Sequence, residues 1–111
     1  MLRQRSSLRK YSELVSLLRS EQTVDEFGHR SQTEPVFVAK AYASVTWLSA
    51  MTTMMTFERA VVVRVRIEMR RPQKDFNIVE WRGHRIVCGT PEDIDGRGLV
   101  IRMDGSYQED R

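Results

Sequence analysis

Val61-Val62-Val63-Arg64-Val65-Arg66-Ile67-Glu68-Met69-Arg70 is the stretch from which the architecture follows. Positions 61, 63, 65, 67 and 69 are apolar, and from 64 on the even positions are charged. A strand sends successive side chains to opposite faces, so this segment has one dry face and one wet face. Its valines and isoleucine are β-branched, which suits a pleated strand and penalises a helix. On a helical wheel the arginines would encircle the axis. The rest of the chain must supply a sheet for the dry side.

The bounds fit that demand. The chain has 111 residues, 41% hydrophobic, enough for one domain with one modest core. A net charge of +3 permits contact with nucleic acid without requiring it. The single cysteine, Cys88, rules out an internal disulfide and a cysteine-based metal cluster within one chain, and suits a reducing compartment. No apolar run approaches the roughly 20 residues of a membrane helix. The first residues carry charge without the apolar run of a secretory signal. These readings predict a protein with no membrane partner.

C-terminal to the anchor strand, Arg71-Pro72-Gln73-Lys74-Asp75 turns the chain, because proline cannot sit in a central strand. Residues 77–81 read as a short strand. Arg82-Gly83 is a two-residue hairpin loop with glycine where a positive φ is needed. Residues 84–89 return, with Ile86 and Cys88 on one face and Arg85 and Val87 on the other. Residues 91–98 connect to a last strand over 99–103 with Leu99, Ile101 and Met103 inward, and a polar tail follows. Short strands with short turns form a meander, and hence a small β-barrel or sandwich of about six strands.

N-terminal to it the patterns are mixed. Residues 1–10 hold Arg3, Arg5, Arg9 and Lys10 and no acid, a basic arm. Residues 11–20 carry Leu14, Leu17 and Leu18 at helical spacing, yet also fit a strand. Residues 21–35 read as a loop ending at Pro35. Residues 36–48 read as a long strand with Ala41, Ala43, Val45 and Trp47 on one face, and a bulge near Ala39-Lys40 would bring Val36 and Val38 into phase. Met51, Met54, Met55 and Glu58 fall at helical spacing after Ser49, a competent N-cap, so one short helix is expected there. Those methionines suit either soft core filling or an adaptable contact surface.

Chemistry is sparse. Gly96-Arg97-Gly98 lacks the spacing and the helix of a phosphate loop. His29 and His84 belong to no ligand motif. Cys88 alternates with Ile86 as a small hydrophobe, and Asp93 and Asp95 read as turn caps. The chain is therefore read as a non-enzyme with no cofactor and no metal.

The order of elements carries a resemblance. Thr23-Val24-Asp25-Glu26-Phe27-Gly28, then Phe37-Val38-Ala39-Lys40-Ala41-Tyr42-Ala43-Ser44-Val45-Thr46-Trp47-Leu48-Ser49, then Glu80-Trp81-Arg82-Gly83-His84-Arg85-Ile86-Val87 and Asp95-Gly96-Arg97-Gly98-Leu99 stand in series. Over residues 14–103 this resembles the tailed-phage head-closure proteins, also called head–tail joining or stopper proteins. That family shows an Asp-x-x-Gly turn, an aromatic-Ala-Ser-Val strand ending in Leu-Ser, and later strands around a glycine turn. This chain departs from it in Ala50, in its methionine- and threonine-rich segment and in its basic arm.

The resemblance implies one barrel domain over 11–104 between the arm and a polar tail at 105–111. It also turns residues 13–20 into a strand opposite 36–48. It implies a ring of copies, twelve favoured over six, beneath the portal and adaptor at the head–tail interface of the virion, assembled in the host cytoplasm. Such a ring closes the channel on phage DNA and presents a docking surface to a tail terminator or tail tube protein. The channel-closing segment would be Ser49, Ala50, Met51, Thr52, Thr53, Met54, Met55 and Thr56. Subunit contacts would set Arg64, Arg66 and Arg70 against Asp25, Glu26 and Phe27, because ring closure needs two different matching patches. Two other readings stay open: a tail-completion protein, and a basic barrel binding single-stranded nucleic acid through Trp81, His84, Arg85 and Tyr42.

Overall fold

The computed structural model describes residues 10–24, 26–55 and 58–109, and the backbone alone at 23, 53–55, 58 and 59. Residues 1–9 of the basic arm, Asp25, Thr56, Phe57 and residues 110–111 lie outside the described residues. Among the described residues every regular element is a strand.

The anchor is β5 (Glu58–Arg70). Its alternation is realised as read: Val63, Val65, Ile67 and Met69 are buried, while Arg64, Arg66 and Arg70 face solvent. Beside it runs β4 (Val36–Met55), 20 residues long. β4 serves two neighbours in turn. Its first half pairs with β1 (Glu13–Arg19), from Arg19 opposite Val36 to Glu13 opposite Ala43. Its second half pairs on the other side with β5, from Ala43 opposite Met69 to Met55 opposite Glu58. Next to β1 lie β6 (Ile78–Trp81) and β7 (His84–Cys88). The long β9 (Val100–Glu109) pairs with β5 along its whole length and with β7 at its middle, which closes the circuit β5-β4-β1-β6-β7-β9 into a six-stranded antiparallel barrel. The two-residue β8 (Glu92–Asp93) adds an edge to β9.

The core is filled from both halves. Val15 and Leu17 of β1, Val79 of β6 and Ile86 of β7 meet Val65, Ile67 and Met69 of β5 and Ile101 and Met103 of β9. Each such side chain contributes on the order of 1.5–3 kcal/mol by leaving water. Two glycines matter to closure. Gly83 and Arg82 take φ of 81° and 49°, the left-handed pair that a tight two-residue hairpin requires. Gly105 lets β9 press against β7: a Cβ there would lie 2.5 Å from Ile86 Cγ2 and 2.8 Å from the Val87 carbonyl oxygen.

Several expectations are corrected. The short helix after Ser49 does not form; residues 49–55 continue β4, because each finds a cross-strand partner on β5. A hydrogen-bonded ladder outweighs the coincidental helical spacing of the methionines. Residues 11–20 contain a strand, as the resemblance implied and helical periodicity did not. The register slips opposite Val38, where Leu17 faces Ala39 and Leu18 faces Phe37, so Val38 and Ala39 both turn to the core while Val36 stays exposed. A second slip falls between Trp47 and Ser49. Trp47 has inward parity but is 64% exposed, since β4 has by then left the shelter of β1. Leu99 lies just before β9 and is also exposed. The polar stretch from Asp104 to Glu109 is strand, held along β5. The loop at 21–35 carries a small hairpin of its own, β2 (Gln22–Val24) with β3 (Arg30–Gln32).

Candidate functional site

β4 leads to a hairpin at each end, one holding the segment assigned to channel closure and the other Glu26 and Phe27. The molecule is 58 Å long. At the upper end β4 and β5 run on past the β6–β7 turn as a projecting pair. Ser49, Ala50, Met51 and Thr52 are exposed, Met51 by 66%. Thr53, Met54 and Met55 continue the ladder opposite Ala60, Arg59 and Glu58. Seven of the eight residues assigned to a channel-closing segment thus share one strand. From Ser44 to Met55 that strand contains neither charge nor proline.

An aromatic layer closes the core beneath this projection. His84 stacks on Tyr107 with ring centres 4.2 Å apart and planes 22° from parallel, and Trp81 sits 6.5 Å from each. Arg82 lies over the Trp81 ring at 5.0 Å and pairs with Glu13 at 2.6 Å, pinning the β6–β7 turn to the start of β1. The Trp81 indole Nε1 is buried with no hydrogen-bond partner among the described residues.

The outer face of β5 is charged but largely engaged within the chain. The Arg66 guanidinium forms a fork with Asp104, Nε to Oδ1 at 2.9 Å and Nη2 to Oδ2 at 3.3 Å. That hydrogen bonding holds the Asp104 carboxyl below the usual carboxylate range. Glu68 accepts from the Tyr11 hydroxyl at 2.9 Å and pairs with Lys10 at 2.8 Å. Burial alone would push the Glu68 carboxyl up, but hydrogen bonds from Lys10 and Tyr11 outweigh it and the net shift is downward. Of the three arginines proposed for subunit contact, Arg66 therefore already has a partner in its own chain. Arg64 lies nearer the projection, and Arg70 lies at the far end of β5 opposite Val100.

At the lower end Glu26 and Phe27 form the turn of the β2–β3 hairpin, and Phe27 is 77% exposed. The base of this hairpin is clamped by a residue the sequence reading passed over. The Ser20 N–H donates to Asn77 Oδ1 at 3.0 Å and Asn77 Nδ2 donates to the Ser20 carbonyl at 2.7 Å, a side-chain imitation of a strand pair. Its signal was an amide residue right before a strand, but no local pattern names a partner 57 residues away. The Arg64-Arg66 and Glu26-Phe27 groups are not brought together within one chain.

Other candidates resolve into structure. Asp93 accepts from the backbone of Asp95 and Gly98, and Asp95 from that of Arg97, so both carboxylates cap the turn. Burial pushes the Cys88 thiol up to about 12, far from a nucleophile's range. Among the described residues no group of three His, Cys, Asp or Glu side chains could hold a metal ion. A depression of about 220 Å³ beside Arg66, Glu92, Arg102 and Asp104 is smaller than the usual ligand site, and its charges pair with one another. The nucleic-acid set is dispersed: Trp81 and His84 adjoin, but Arg85 pairs with Glu80 on the outer wall and Tyr42 stands beside Leu14 on β1.

No protein-family model matches this chain, and no curated protein matches it in sequence. A solved structure does share its fold. A chain from the virion of a native gene transfer agent particle superposes with a TM-score of 0.72 at 13% identity, over 88% of this chain and 94% of that one. At that identity the likeness is one of fold.

Proposed function

We propose that this chain is a structural virion protein, the head-closure ring component of a phage or phage-like particle, and not an enzyme. The observation that carries the reading is the fold shared over 94% of the length of a virion chain. The projecting hairpin gives it a mechanism. Copies arranged about an axis point residues 49–56, the uncharged side of the hairpin, inward, and Met51, Met54 and Met55 pack against their counterparts. Methionine is unbranched and polarisable, so the plug excludes water yet re-packs when DNA leaves. The other faces of the ring meet the adaptor or portal above and a tail terminator or tail tube below, and the DNA lies in the channel. Charges on the two patches of each copy, Arg64 and Arg70 on one and Asp25 and Glu26 on the other, set the order of subunits.

The test shortens the tip without breaking the ladder. Thr52 and Val61 are cross-strand partners, so residues 53–60 are replaced by Asn-Gly, a natural two-residue turn. Particles built with this chain should show ring density between capsid vertex and tail but lose packaged DNA. Full DNA retention in tailless heads removes the plug, and the absence of such density in unmodified particles removes the whole assignment. Arg64→Glu should reduce ring assembly while the monomer stays folded; the double reversal with Arg66 is a poorer test, because it would set a new acid against Asp104.

A further inference from the structure

The net charge of the chain sits at one end of the sequence. Of 18 basic and 15 acidic residues, Arg3, Arg5 and Arg9 fall within residues 1–9, which hold no acid, so residues 10–111 carry 15 of each sign and are neutral as a body. The root of this arm is fastened at Lys10 and Tyr11. Lys10 Nζ pairs with Glu68 at 2.8 Å, and the Tyr11 hydroxyl donates to the same carboxylate at 2.9 Å, which brings the chain onto the outer wall of β5. The acids around this latch are already taken: Glu68 by the latch itself, Asp104 by Arg66 and Glu92 by Arg102. Arg102 lies opposite Glu68 in the β5–β9 ladder, and Arg66 and Arg70 flank Glu68 along β5. Three arginines are thus led off from a wall that carries their own sign.

We propose that residues 1–9 bind the phosphate backbone of double-stranded DNA, with the Lys10–Tyr11–Glu68 latch as the fixed root of that contact. Composition selects the partner. Six of the nine residues, Arg3, Gln4, Arg5, Ser6, Ser7 and Arg9, are of types that donate hydrogen bonds to phosphate oxygens. All three cations are arginine, whose planar fork grips a phosphate with two bonds at once. Residues 1–10 hold no aromatic side chain, so the arm has no platform on which unpaired bases could stack, and a duplex backbone suits it better than a single strand. A contact with an acidic protein is normally centred on a buried aromatic anchor, which the arm also lacks. Nine residues reach at most about 30 Å from the latch. Such a contact reads charge and not base sequence. Three phosphates make a weak site in one copy, and copies held in one assembly bind as a set. The contact is defined for a single copy and goes beyond the head-closure reading.

The test titrates a short labelled DNA duplex of mixed sequence with the full chain and with a variant carrying Arg3→Gln, Arg5→Gln and Arg9→Gln. Fluorescence anisotropy should show an affinity that falls about 40-fold between about 20 and about 80 mM salt, the dependence expected of three neutralised phosphates. The variant should keep the same melting temperature and lose the binding. Lys10→Gln should leave the salt slope unchanged, because Lys10 is engaged with Glu68; a slope shallower by one contact puts Lys10 on the DNA and overturns its part in the root. A full chain that does not bind at the lower salt, or a triple variant that binds as well as the full chain, overturns the proposal. Equal affinity for a poly-glutamate peptide assigns the arm to an acidic protein and overturns it too. Rings visible by electron microscopy without any DNA binding overturn this contact and leave the head-closure reading standing.

Discussion

The two ends of β4 are built differently, although both carry exposed hairpins. At the upper end the ladder is continuous: β5 pairs with β4 to the tip and with β9 as far as Val61 opposite Glu109. At the lower end the ladder breaks at Ser20, and the β2–β3 hairpin, closed at its base by the Glu21–Thr33 bonds, is tied on through the Asn77 clamp. The upper tip is uncharged along β4 and has Glu58 and Arg59 on β5, whereas the lower one holds Glu21, Glu26, His29 and Arg30. A tip that shares its ladder with the core moves with the core. One hung from a side-chain clamp opens on its own.

The largest effects should fall where the upper hairpin joins the barrel. Ile67 is fully buried opposite Val45, and Ile67→Ala should cost about 3–4 kcal/mol in denaturant unfolding, with loss of the upper pairing as well. An unchanged midpoint would mean that β5 is not the anchor. Gly105→Val, which drives a side chain into Ile86 and the Val87 carbonyl, should cost about 1–3 kcal/mol and loosen the β7–β9 seam.

Asn77→Ala sharpens the comparison from the other end. It leaves the partly buried Ser20 amide and carbonyl without partners, for about 1–3 kcal/mol, and hydrogen exchange should accelerate at residues 20–33 while β5 and β9 stay protected. Uniform acceleration would show that the lower hairpin is no more separable than the upper.

Smaller again is the dependence on acid. Hydrogen bonding to Arg66 lowers the folded-state pKa of Asp104, and the Lys10 and Tyr11 bonds outweigh the opposing effect of burial on Glu68. Both carboxylates thus stabilise the fold in and above the ordinary carboxylate range, and that stability is lost as pH falls below that range through the lowered values. Melting temperature should drop there, and less steeply in Glu68→Gln with Asp104→Asn. The smallest effects belong to the tips themselves. Met51→Ala and Phe27→Ala should each change stability by less than about 0.5 kcal/mol, since both side chains are solvated, and any defect should appear in assembly assays alone.

Much of the barrel wall was legible from the chain. Alternation named β5, and a glycine turn named the β6–β7 hairpin, because both depend on nearest neighbours. The upper tip was misread as a helix because three methionines mimic a 3.6 period, and only the opposing strand shows that each residue is cross-strand paired. Trp47 was assigned inward by parity, which says nothing about whether another sheet covers that level. β9 reads as ending at Met103 because the residues from Asp104 on are polar, whereas they pair along β5, and Gly105 is what the close approach of β7 requires. The Arg66–Asp104 fork and the Asn77 clamp join residues far apart in sequence, beyond any local pattern.

The extra residue on β4 at Leu48 has one more consequence. Trp47 faces Val65 and Ser49 faces Arg64, so Leu48 alone is supernumerary in the ladder. Deleting it would leave every partner from Ser49 to Met55 in place, while removing the local bend that such an insertion imposes. Direction and chemistry of the projection are therefore separately adjustable: a single codon steers where the tip is aimed without altering what it carries.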